Sequence, residues 1–359
     1  EHFYMSILCF CNPLIDATIE VGPEYLQKWN LRNDDAILAD EKYQPLVEEV
    51  VNDPKVYMTG GGSCQNTLVM AQWMLQDKGT TAIVGAVGDD HNKEILENLM
   101  QKSGVKCLYQ VHKGQYTGCG IILVCEGNRS IVASVAAAGN FSFENWDTPE
   151  VISAVRNAKV VMLSTYFLRS SDKTGLAVAV ECGYHNVPLA ITLSSSSAIQ
   201  SEAWPATLQI FRFSSVGNTT EMVCMGKMLK ILPEEAKEEE TDLKQLTKDL
   251  ANWNNPPQKR IIVTTNGAKE TIACESGSEP VVRTPMAIEK EKIVDTNGAG
   301  DSFAGGFLAY YIQKAPLAKC VDAGHYASFW NLHERGCAVP AQKPDFDGGS
   351  GFFSRCNIY

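Results

Sequence analysis

A glycine-rich turn that carries a carboxylate is the part of this sequence best suited to chemistry. It runs Asp-Thr-Asn-Gly-Ala-Gly-Asp from Asp295 to Asp301, and the apolar residues of 302–314 after it have the spacing of a helix. The first amide groups of a helix have no intrahelical partner, and the helix dipole adds about half a positive charge, so such a turn can bind an anion. Asp301 would repel a phosphate unless it had a role, and accepting a proton from an attacking hydroxyl group is one.

A structural interpretation of the same turn stays open, because Asp-Ser before an apolar run is also an ordinary helix cap. Residues 292–294, before the turn, have the composition of a short buried strand. Gly305 and Gly306 lie inside the predicted helix, where each costs about 1 kcal/mol relative to alanine. We therefore expect something to approach that stretch of backbone closely.

Two segments nearer the start of the chain could bind a small polar ligand. The glycines at 60–62 precede a predicted helix and would let a ligand touch the backbone, although a flexible turn capped by Ser63 has the same composition. Asp16 follows the Asn-Pro pair that ends the first apolar run. Its carboxylate only accepts hydrogen bonds, so it could hold two vicinal sugar hydroxyl groups, or it could be a structural turn residue.

Composition and charge narrow the kind of protein. The 359 residues are 45% hydrophobic, enough for a large core, and the net charge of −11 argues against nucleic acid or an anionic membrane as the main partner. No apolar run reaches the roughly 18 residues of a membrane span, and the first residues do not resemble a secretory signal. The 12 cysteines include no Cys-x-x-Cys pair, which favours reduced, partly buried thiols. We expect a cytoplasmic protein, with the nucleus as a second compartment.

Alternating strand-like and helical stretches predict an α/β fold with a central, mostly parallel sheet flanked by helices. Strand-like runs without long helices between them predict a second, smaller sheet; these runs are 18–21, 56–59, 118–124 and 130–135. We predict a large catalytic domain from residues 1–14, 63–104 and 142–359, and a discontinuous lid domain from residues 15–62 and 105–141.

In this order, the motifs resemble those of the ribokinase-like (PfkB) carbohydrate kinase family over about residues 4–347, and the Asp-Thr-Asn form is most similar to the adenosine kinases within it. The resemblance implies transfer of the γ-phosphate of ATP to the 5′-hydroxyl of adenosine, giving AMP and ADP, with Mg²⁺ as cofactor. Asp301 would accept the hydroxyl proton and Arg129 would stabilise charge on the phosphoryl group. Backbone amides would hold that group at Gly298, Ala299 and Gly300.

The resemblance also implies a set of substrate contacts. Asp16 would hold the ribose 2′ and 3′ hydroxyls, and Phe167 would stack on adenine beside an apolar slot. The implied substrate contacts are Asn12, Asp16, Leu38, Gly61, Gly62, Ser63, Asn66, Ile131, Ala133, Val135, Phe167 and Asn297. Each apolar member of this set would equally suit the protein core.

A further group of residues is implied to contact the nucleotide. Asn218 and Glu221 match an Asn-x-x-Glu pattern whose glutamate organises Mg²⁺ through water, although a helix cap has the same spacing. Thr265, Gly267 and His325 would lie beside the nucleotide. The chain departs from the family pattern at Cys11, where glycine is usual, at Thr219, where a second glutamate is common, and in the serine run of 192–198.

Other classes of protein fit these residues less well. There is neither a Gly-x-x-x-x-Gly-Lys-Ser/Thr loop nor a His-Arg-Asp element, which disfavours a P-loop NTPase and a protein kinase. A kinase of the same fold that acts on a sugar or another nucleoside stays open, as does a catalytically silent nucleoside-binding protein. A scaffold would need a repeat, heptad or basic feature that the sequence lacks. The family resemblance implies a monomer whose partners are adenosine and ATP.

Overall fold

Two β-sheets organise the protein, whose computed structural model describes residues 5–32, 36–39, 41–76, 81–126, 128–211, 214–256 and 258–346. The strands are β1 (Ile7–Phe10), β2 (Leu14–Glu20), β3 (Ala36–Leu38), β4 (Tyr57–Gly61), β5 (Thr81–Gly88), β6 (Val105–His112), β7 (Cys119–Cys125), β8 (Asn128–Ser134), β9 (Val160–Ser164), β10 (Leu189–Thr192), β11 (Ser214–Asn218), β12 (Ile261–Thr265), β13 (Thr271–Glu275) and β14 (Val281–Arg283). The helices are α1 (Pro23–Lys28), α2 (Gln44–Val51), α3 (Ser63–Leu75), α4 (His91–Lys102), α5 (Pro149–Asn157), α6 (Thr165–His185), α7 (Ser196–Ile199), α8 (Trp204–Ile210), α9 (Thr219–Met228), α10 (Leu243–Asn252), α11 (Ala299–Tyr311) and α12 (Leu317–Asn331). Within these ranges no helix combines the length and the apolar character that crossing a membrane requires.

The larger sheet has, among the described residues, nine strands in the order β14-β13-β12-β11-β10-β9-β1-β5-β6. Neighbouring strands from β12 to β6 pair in parallel, while β13 and β14 are antiparallel additions at one edge. Strands β1, β5, β9 and β10 are buried along their whole length, as expected when helices cover both faces. The predicted α/β fold with a mostly parallel sheet is therefore confirmed.

The smaller sheet has the order β3-β8-β7-β2-β4 within the described ranges. One of its faces packs on α1 and α2 and buries Ile15, Ala17 and Ile121. Because successive side chains of a strand point to opposite faces, Asp16 and Thr18 lie on the other, open face. The second sheet predicted from the short strand-like runs is confirmed, and its open face is free to form one wall of a cleft.

Two local predictions differ from the structure. Strand β6, which the sequence analysis assigned to the lid within residues 105–141, pairs with β5 in the larger sheet. Its partly buried pattern suits either sheet, so the pattern alone does not distinguish them. Residues 292–294, expected to form a strand, begin with the last residue of a 3-10 turn at Lys290–Lys292, and Val294 is 52% exposed. Lysine and glutamate side chains in this run favour solvent over the interior.

Helix α11 begins at Ala299, directly on the glycine-rich turn and earlier than the predicted start at 302. It packs between α3 and α12. A Cβ atom at Gly305 would lie 2.5 Å from the carbonyl oxygen of Thr67 in α3, and one at Gly306 would collide with the carbonyl oxygen of Ala323 in α12. The close approach expected from these two glycines is therefore made by neighbouring helices, which hold the N-terminus of α11 in place.

Candidate active site

Asp301 lies in the first turn of α11, and its carboxylate is held by two residues at the start of α3. Ser63 Oγ donates to Oδ1 at 2.7 Å, and Asn66 Nδ2 donates to Oδ2 at 3.0 Å. Burial raises the pKa of the Asp301 carboxyl, while the hydrogen bonds from Ser63 and Asn66 act in the opposite direction. The arrangement brings the two glycine-rich segments together around one oriented carboxylate.

The turn before α11 is fixed by hydrogen bonds from its own residues, from the end of α12 and from the loop after it. Asp295 accepts hydrogen bonds from the backbone N–H of Asn297 at 2.7 Å and of Gly336 at 2.8 Å. Asn331 Nδ2 donates to the carbonyl oxygen of Asn297 at 2.8 Å, and Ser302 Oγ donates to Asn331 Oδ1 at 2.9 Å. These hydrogen bonds fix the shape of the turn.

The amide groups of this turn are arranged to meet an anion on one side only. Gly298 has a φ of 75°, and a Cβ atom there would lie 2.9 Å from Cβ of Cys337, so the position requires glycine. Gly300 is exposed, and a Cβ atom there would find nothing within 4 Å. Ala299, expected to donate to the phosphoryl group, points its N–H towards the carbonyl oxygen of Thr296 at 3.4 Å. The open space for an anion is therefore beside Gly300.

Asp16 faces this turn from the open face of the smaller sheet. A Cβ atom at Gly61 would collide with the Asp16 carboxylate, and one at Gly120 would lie 2.7 Å from its Oδ1. The two glycines therefore make room for the carboxylate on the neighbouring strands. Burial raises the pKa of Asp16 to about 7, and the charges of Asp301 and Asp295 add to the effect. Gly61, which makes room for the Asp16 carboxylate, lies two residues before Ser63, which binds Asp301, so the two carboxylates lie near the start of α3 on two walls of one cleft.

Asn12 and Gly62 lie where the smaller sheet joins the larger one. Gly62 has a φ of 93°, and a Cβ atom there would lie 2.6 Å from the carbonyl oxygen of Asn12, so only glycine suits the position. Asn12 Nδ2 donates to the carbonyl oxygen of Tyr166 at 3.3 Å and to Ser170 Oγ at 3.2 Å. Its Oδ1 is buried without a hydrogen-bond partner among the described residues, so it can accept from a ligand.

The predicted apolar slot is assembled in part. Ala133 pairs with Gly120, which itself pairs with Asp16, so their side chains share the open face of the smaller sheet. Ile131, two residues earlier on β8, shares that face and is 36% exposed. Val135 lies one residue past β8 and packs beside Gly139.

Leu38 and Arg129 are placed by their backbones alone. Leu38, on β3, pairs with Ala133 of β8. Arg129, on β8, pairs with Val124 of β7. Their side chains lie outside the described part of the structure, so their roles stay predictions.

Phe167 does not line the cleft, contrary to the sequence-based expectation. The residue is fully buried in the main core, where its ring centroid lies 5.8 Å from that of Phe10 and 5.4 Å from that of Phe141. A ring that stacks on a base needs a free face, and Phe167 has none. The docking of α6 turns this residue inwards, whereas the preceding Tyr166 is 40% exposed and contacts Asn12 through its carbonyl oxygen.

Asn218 and Glu221 form the N-terminal cap of α9. Glu221 N–H donates to Asn218 Oδ1 at 2.9 Å, while the N–H and Nδ2 of Asn218 donate to the two Glu221 oxygens at 2.9 and 3.0 Å. The helix-cap interpretation of this motif is thus correct structurally. Burial raises the pKa of Glu221, the backbone hydrogen bond from Asn218 lowers it, and the charge of Asp301 raises it. A nearby cation would favour its ionised form.

The remaining nucleotide-side predictions fall at the ends of β12 and in α12. Thr265 ends β12, where Thr219 Oγ1 donates to its carbonyl oxygen at 3.3 Å, and Gly267 follows in an exposed turn with a φ of 57°. His325 is buried with its Nε2 2.9 Å from Thr271 Oγ1. Burial lowers the pKa of His325 to about 4, so the ring is neutral at physiological pH.

Sequence reasoning missed three residues that shape the site: Gly120, Asp295 and Asn331. Gly120 could have been found, because a glycine within a strand signals a close approach. Asp295 opens the glycine-rich motif, but its sequence context does not reveal that its carboxylate holds the turn. Asn331 had no local signal, since its contacts with Asn297 and Ser302 join segments about 30 residues apart in the chain.

Comparisons with known proteins agree with this geometry. The chain matches the pfkB family of carbohydrate kinases over residues 26–344. It is 34% identical to the adenosine kinase of Dictyostelium discoideum, with 95% of this chain and 98% of that protein covered, and 32% identical to adenosine kinase 2 of Arabidopsis thaliana, with 94% and 96% covered. The crystal structure of Anopheles gambiae adenosine kinase in complex with di(adenosine-5) tetraphosphate superposes with a TM-score of 0.83 at 30% identity, covering 95% of this chain and 98% of that one. This chain therefore belongs to the pfkB family of carbohydrate kinases.

Proposed function

We propose that this protein is an adenosine kinase, which transfers the γ-phosphate of ATP to the 5′-hydroxyl of adenosine and releases AMP and ADP. The observation that carries the proposal is the Asp301 carboxylate, held by Ser63 and Asn66 at the N-terminus of α11 and facing Asp16 across the cleft. Similarity to adenosine kinases over 94–95% of the chain supports the same assignment.

Asp301 acts as the general base. It accepts the proton of the 5′-hydroxyl as that oxygen forms its bond to the γ-phosphorus, and the bond from the γ-phosphorus to the bridging oxygen of ADP breaks. The raised pKa of Asp301 makes it a stronger base than an exposed aspartate. The N-terminus of α11, open beside Gly300, stabilises the negative charge of the phosphoryl group in flight.

Asp16 positions the nucleoside. Its carboxylate accepts hydrogen bonds from the ribose 2′ and 3′ hydroxyls, and Gly61 makes the room that this carboxylate occupies. The unpartnered Oδ1 of Asn12 supplies a further acceptor, and Asn297 contacts the substrate from the other wall. Ile131, Ala133, Val135 and Leu38 form the apolar slot for the base, with Tyr166 in the place predicted for Phe167.

Donor ATP lies along the opposite end of the turn, beside Asn218, Thr265, Gly267 and His325, with Arg129 closing over its phosphates. Glu221 would contact Mg²⁺ through water, and the ion would offset the charge of the donor phosphates. The described residues contain no group of three or more His, Cys, Asp or Glu that could hold a metal ion, so phosphate oxygens and water must supply most ligands, as Mg²⁺ prefers. Glu221 fits a water-mediated contact, because each carboxylate oxygen accepts one hydrogen bond from Asn218 and keeps a free lone pair.

The smaller sheet acts as a lid that excludes water from the reaction, and we place the enzyme in the cytoplasm as a monomer. Its partners are its small-molecule substrates, in keeping with the net charge of −11, which disfavours nucleic acid and anionic membranes.

A coupled ADP-release assay with MgATP and a panel of adenosine, inosine, guanosine and ribose tests the proposal. We expect adenosine to be the preferred acceptor, with AMP identified by chromatography. Preference for ribose would assign a sugar kinase instead. Thermal stabilisation by adenosine without ADP formation would assign a silent binding protein.

A further inference from the structure

A cavity of about 430 Å³ lies at the acceptor side of the cleft, between the smaller sheet and the glycine-rich turn. Of the described residues that line it, Asn297 alone belongs to the substrate contacts assigned above. A benzene ring fits a cavity of about 150 Å³, so this volume is large enough for an aromatic group. The cavity therefore offers space beyond what the assigned nucleoside contacts enclose.

The strand register places this cavity beside the slot proposed for the base. Asp16 pairs with Gly120, and Gly120 pairs with Ala133, so the ribose contact and the slot lie along one row of the open face. The next row, about 7 Å further along the strands, is here called the outer row and consists of Tyr57, Thr18, Ile122 and Ile131. Its first three members line the cavity, and the fourth belongs to the slot. The cavity and the slot are therefore neighbours on the same face.

The wall opposite the sheet is anchored to it at one point. A Cβ atom at Gly336 would lie 3.2 Å from Thr59 Oγ1, so the loop after α12 touches β4 there. Gly336 also donates its N–H to Asp295, and Asp295 accepts a second hydrogen bond from the N–H of Asn297. These contacts fix the distance between the two walls, and they direct the Asp295 carboxylate to backbone amides of its own wall.

Exposed apolar side chains line the cavity from both walls. Tyr57, on the sheet, is 43% exposed, and Val294, before the turn, is 52% exposed. Ile122 adds an aliphatic side chain from the outer row. Three charged residues of the lining are exposed to solvent, namely Glu20, Lys55 and Arg335. An apolar ring bound here would remove the surfaces of Tyr57 and Val294 from water, which favours such a group as the occupant.

We propose that the acceptor site also binds adenosine derivatives that carry an aryl group on a side edge of the base, at C2 or C8, with the ring in this cavity. The inference rests on the proposed kinase function. A base that extends from the ribose at Asp16 towards Ala133 lies along the inner row, so its side edges point to neighbouring rows, whereas N6 lies at its far end. A ring on such an edge contacts Ile122 and Tyr57 of the outer row.

Steady-state kinetics with adenosine, 2-phenyladenosine, 8-phenyladenosine and N6-benzyladenosine test the inference. We expect the wild type to use one of the two phenyl compounds with kcat/KM within about tenfold of adenosine. Thr18→Trp fills the outer row and should lower that value about 100-fold, with adenosine within about threefold of wild type. Tyr57→Ala removes the aromatic contact and should lower it about tenfold. Thr18→Ser is the matched control, because it leaves the room at the same position and should behave as wild type.

The kinetics overturn the inference in either of two ways. One is rejection of both phenyl compounds by the wild type, with kcat/KM more than about 100-fold below that of adenosine. The other is an equal loss for adenosine or for N6-benzyladenosine in Thr18→Trp, which would indicate an effect outside the cavity. Thermal unfolding checks that the variants are folded, and Tyr57→Ala, at an exposed position, decides the matter if Thr18→Trp does not fold.

Calorimetric titration of the nucleosides without ATP separates this inference from the proposed function. Binding of a phenyl compound that Tyr57→Ala weakens, with unchanged affinity for adenosine, supports the cavity contact even if the wild type releases no ADP with adenosine. In that case only the proposed function is lost. Phosphorylation of adenosine by a protein that binds neither phenyl compound overturns the inference and leaves the proposed function in place.

Discussion

Asp301 and Asp16 stand on opposite walls of one cleft, and their surroundings differ. Asp301 lies on the wall formed by the starts of α3 and α11, here called the body wall, and accepts hydrogen bonds from Ser63 and Asn66. Asp16, on the smaller sheet, makes no hydrogen bond within the described part of the chain. Burial raises the pKa of both carboxyl groups. For Asp301 two hydrogen bonds oppose the rise, while the pKa of Asp16 reaches about 7.

The difference indicates which wall is complete before substrate arrives. A buried carboxylate without donors costs free energy, so Asp16 gains most when a ligand brings hydroxyl groups to it. Asp301 is already oriented by α3 and by the fixed turn. A base that is oriented in advance costs no free energy of rearrangement during the reaction. The body wall is therefore built for chemistry, and the wall of the smaller sheet is completed by the substrate.

Replacing Asp301 tests the body wall and should give the largest effect. We expect Asp301→Asn to reduce kcat about 10³-fold, because the shape and the contacts with Ser63 remain while the base is lost. Adenosine affinity, measured by calorimetry, should stay within a few-fold of wild type. Asp147→Asn, at an exposed position in the loop before α5, is the control and should retain full turnover. Near-normal turnover in Asp301→Asn would remove the assigned base.

Replacing Asp16 tests the wall of the smaller sheet. Hydrogen bonds to a charged group contribute about 1.5–3 kcal/mol, so Asp16→Asn should raise the KM for adenosine by about 10- to 100-fold. The effect on kcat should be smaller than that of Asp301→Asn. A comparison of adenosine with 2′-deoxyadenosine in both proteins checks the cause. The wild type should bind 2′-deoxyadenosine more weakly than adenosine, whereas the variant should bind the two compounds with similar affinity. Equal discrimination in the two proteins would contradict the ribose contact.

The sequence predicted the conformation of the glycine-rich turn better than the tertiary contacts around it. The glycine-rich motif carries its own conformational requirement, so the anion turn and Asp301 follow from local composition. The outcome for Phe167 depends on how α6 docks, and a helical run of Tyr-Phe-Leu does not reveal which ring faces the core. The assignment of β6 to the larger sheet and the hydrogen bonds of Asn331 likewise join distant segments, which no local pattern encodes.

Two glycines of α11 have different expected roles, one in helix packing and one in binding the phosphoryl group. A Cβ atom at Gly306 would collide with the Ala323 carbonyl oxygen, so Gly306→Ala should lower the free energy of unfolding by about 1–3 kcal/mol. A Cβ atom at Gly300 meets nothing within 4 Å, so Gly300→Ala should fold with wild-type stability yet lose at least about tenfold in kcat, because the methyl group occupies the space of the phosphoryl group. Thermal unfolding and kinetics of both variants check this division. Full activity in Gly300→Ala would place the phosphoryl group elsewhere.

The dependence of adenosine affinity on pH should distinguish the two carboxylates most finely. Asp16 must be ionised to accept from two hydroxyls, and its pKa is about 7, so affinity should be highest above that value and fall as pH decreases. At about pH 6 the ionised fraction is near one tenth, which predicts affinity about tenfold weaker than the plateau. Because the pKa in the folded protein exceeds the ordinary value of 3.8, the contribution of Asp16 to folding stability is present at low pH and is lost as pH rises from about 4 through about 7. Calorimetry and thermal unfolding of wild type and Asp16→Asn across this range check both signs. An Asp16→Asn profile as steep as that of wild type would assign the titration to another group.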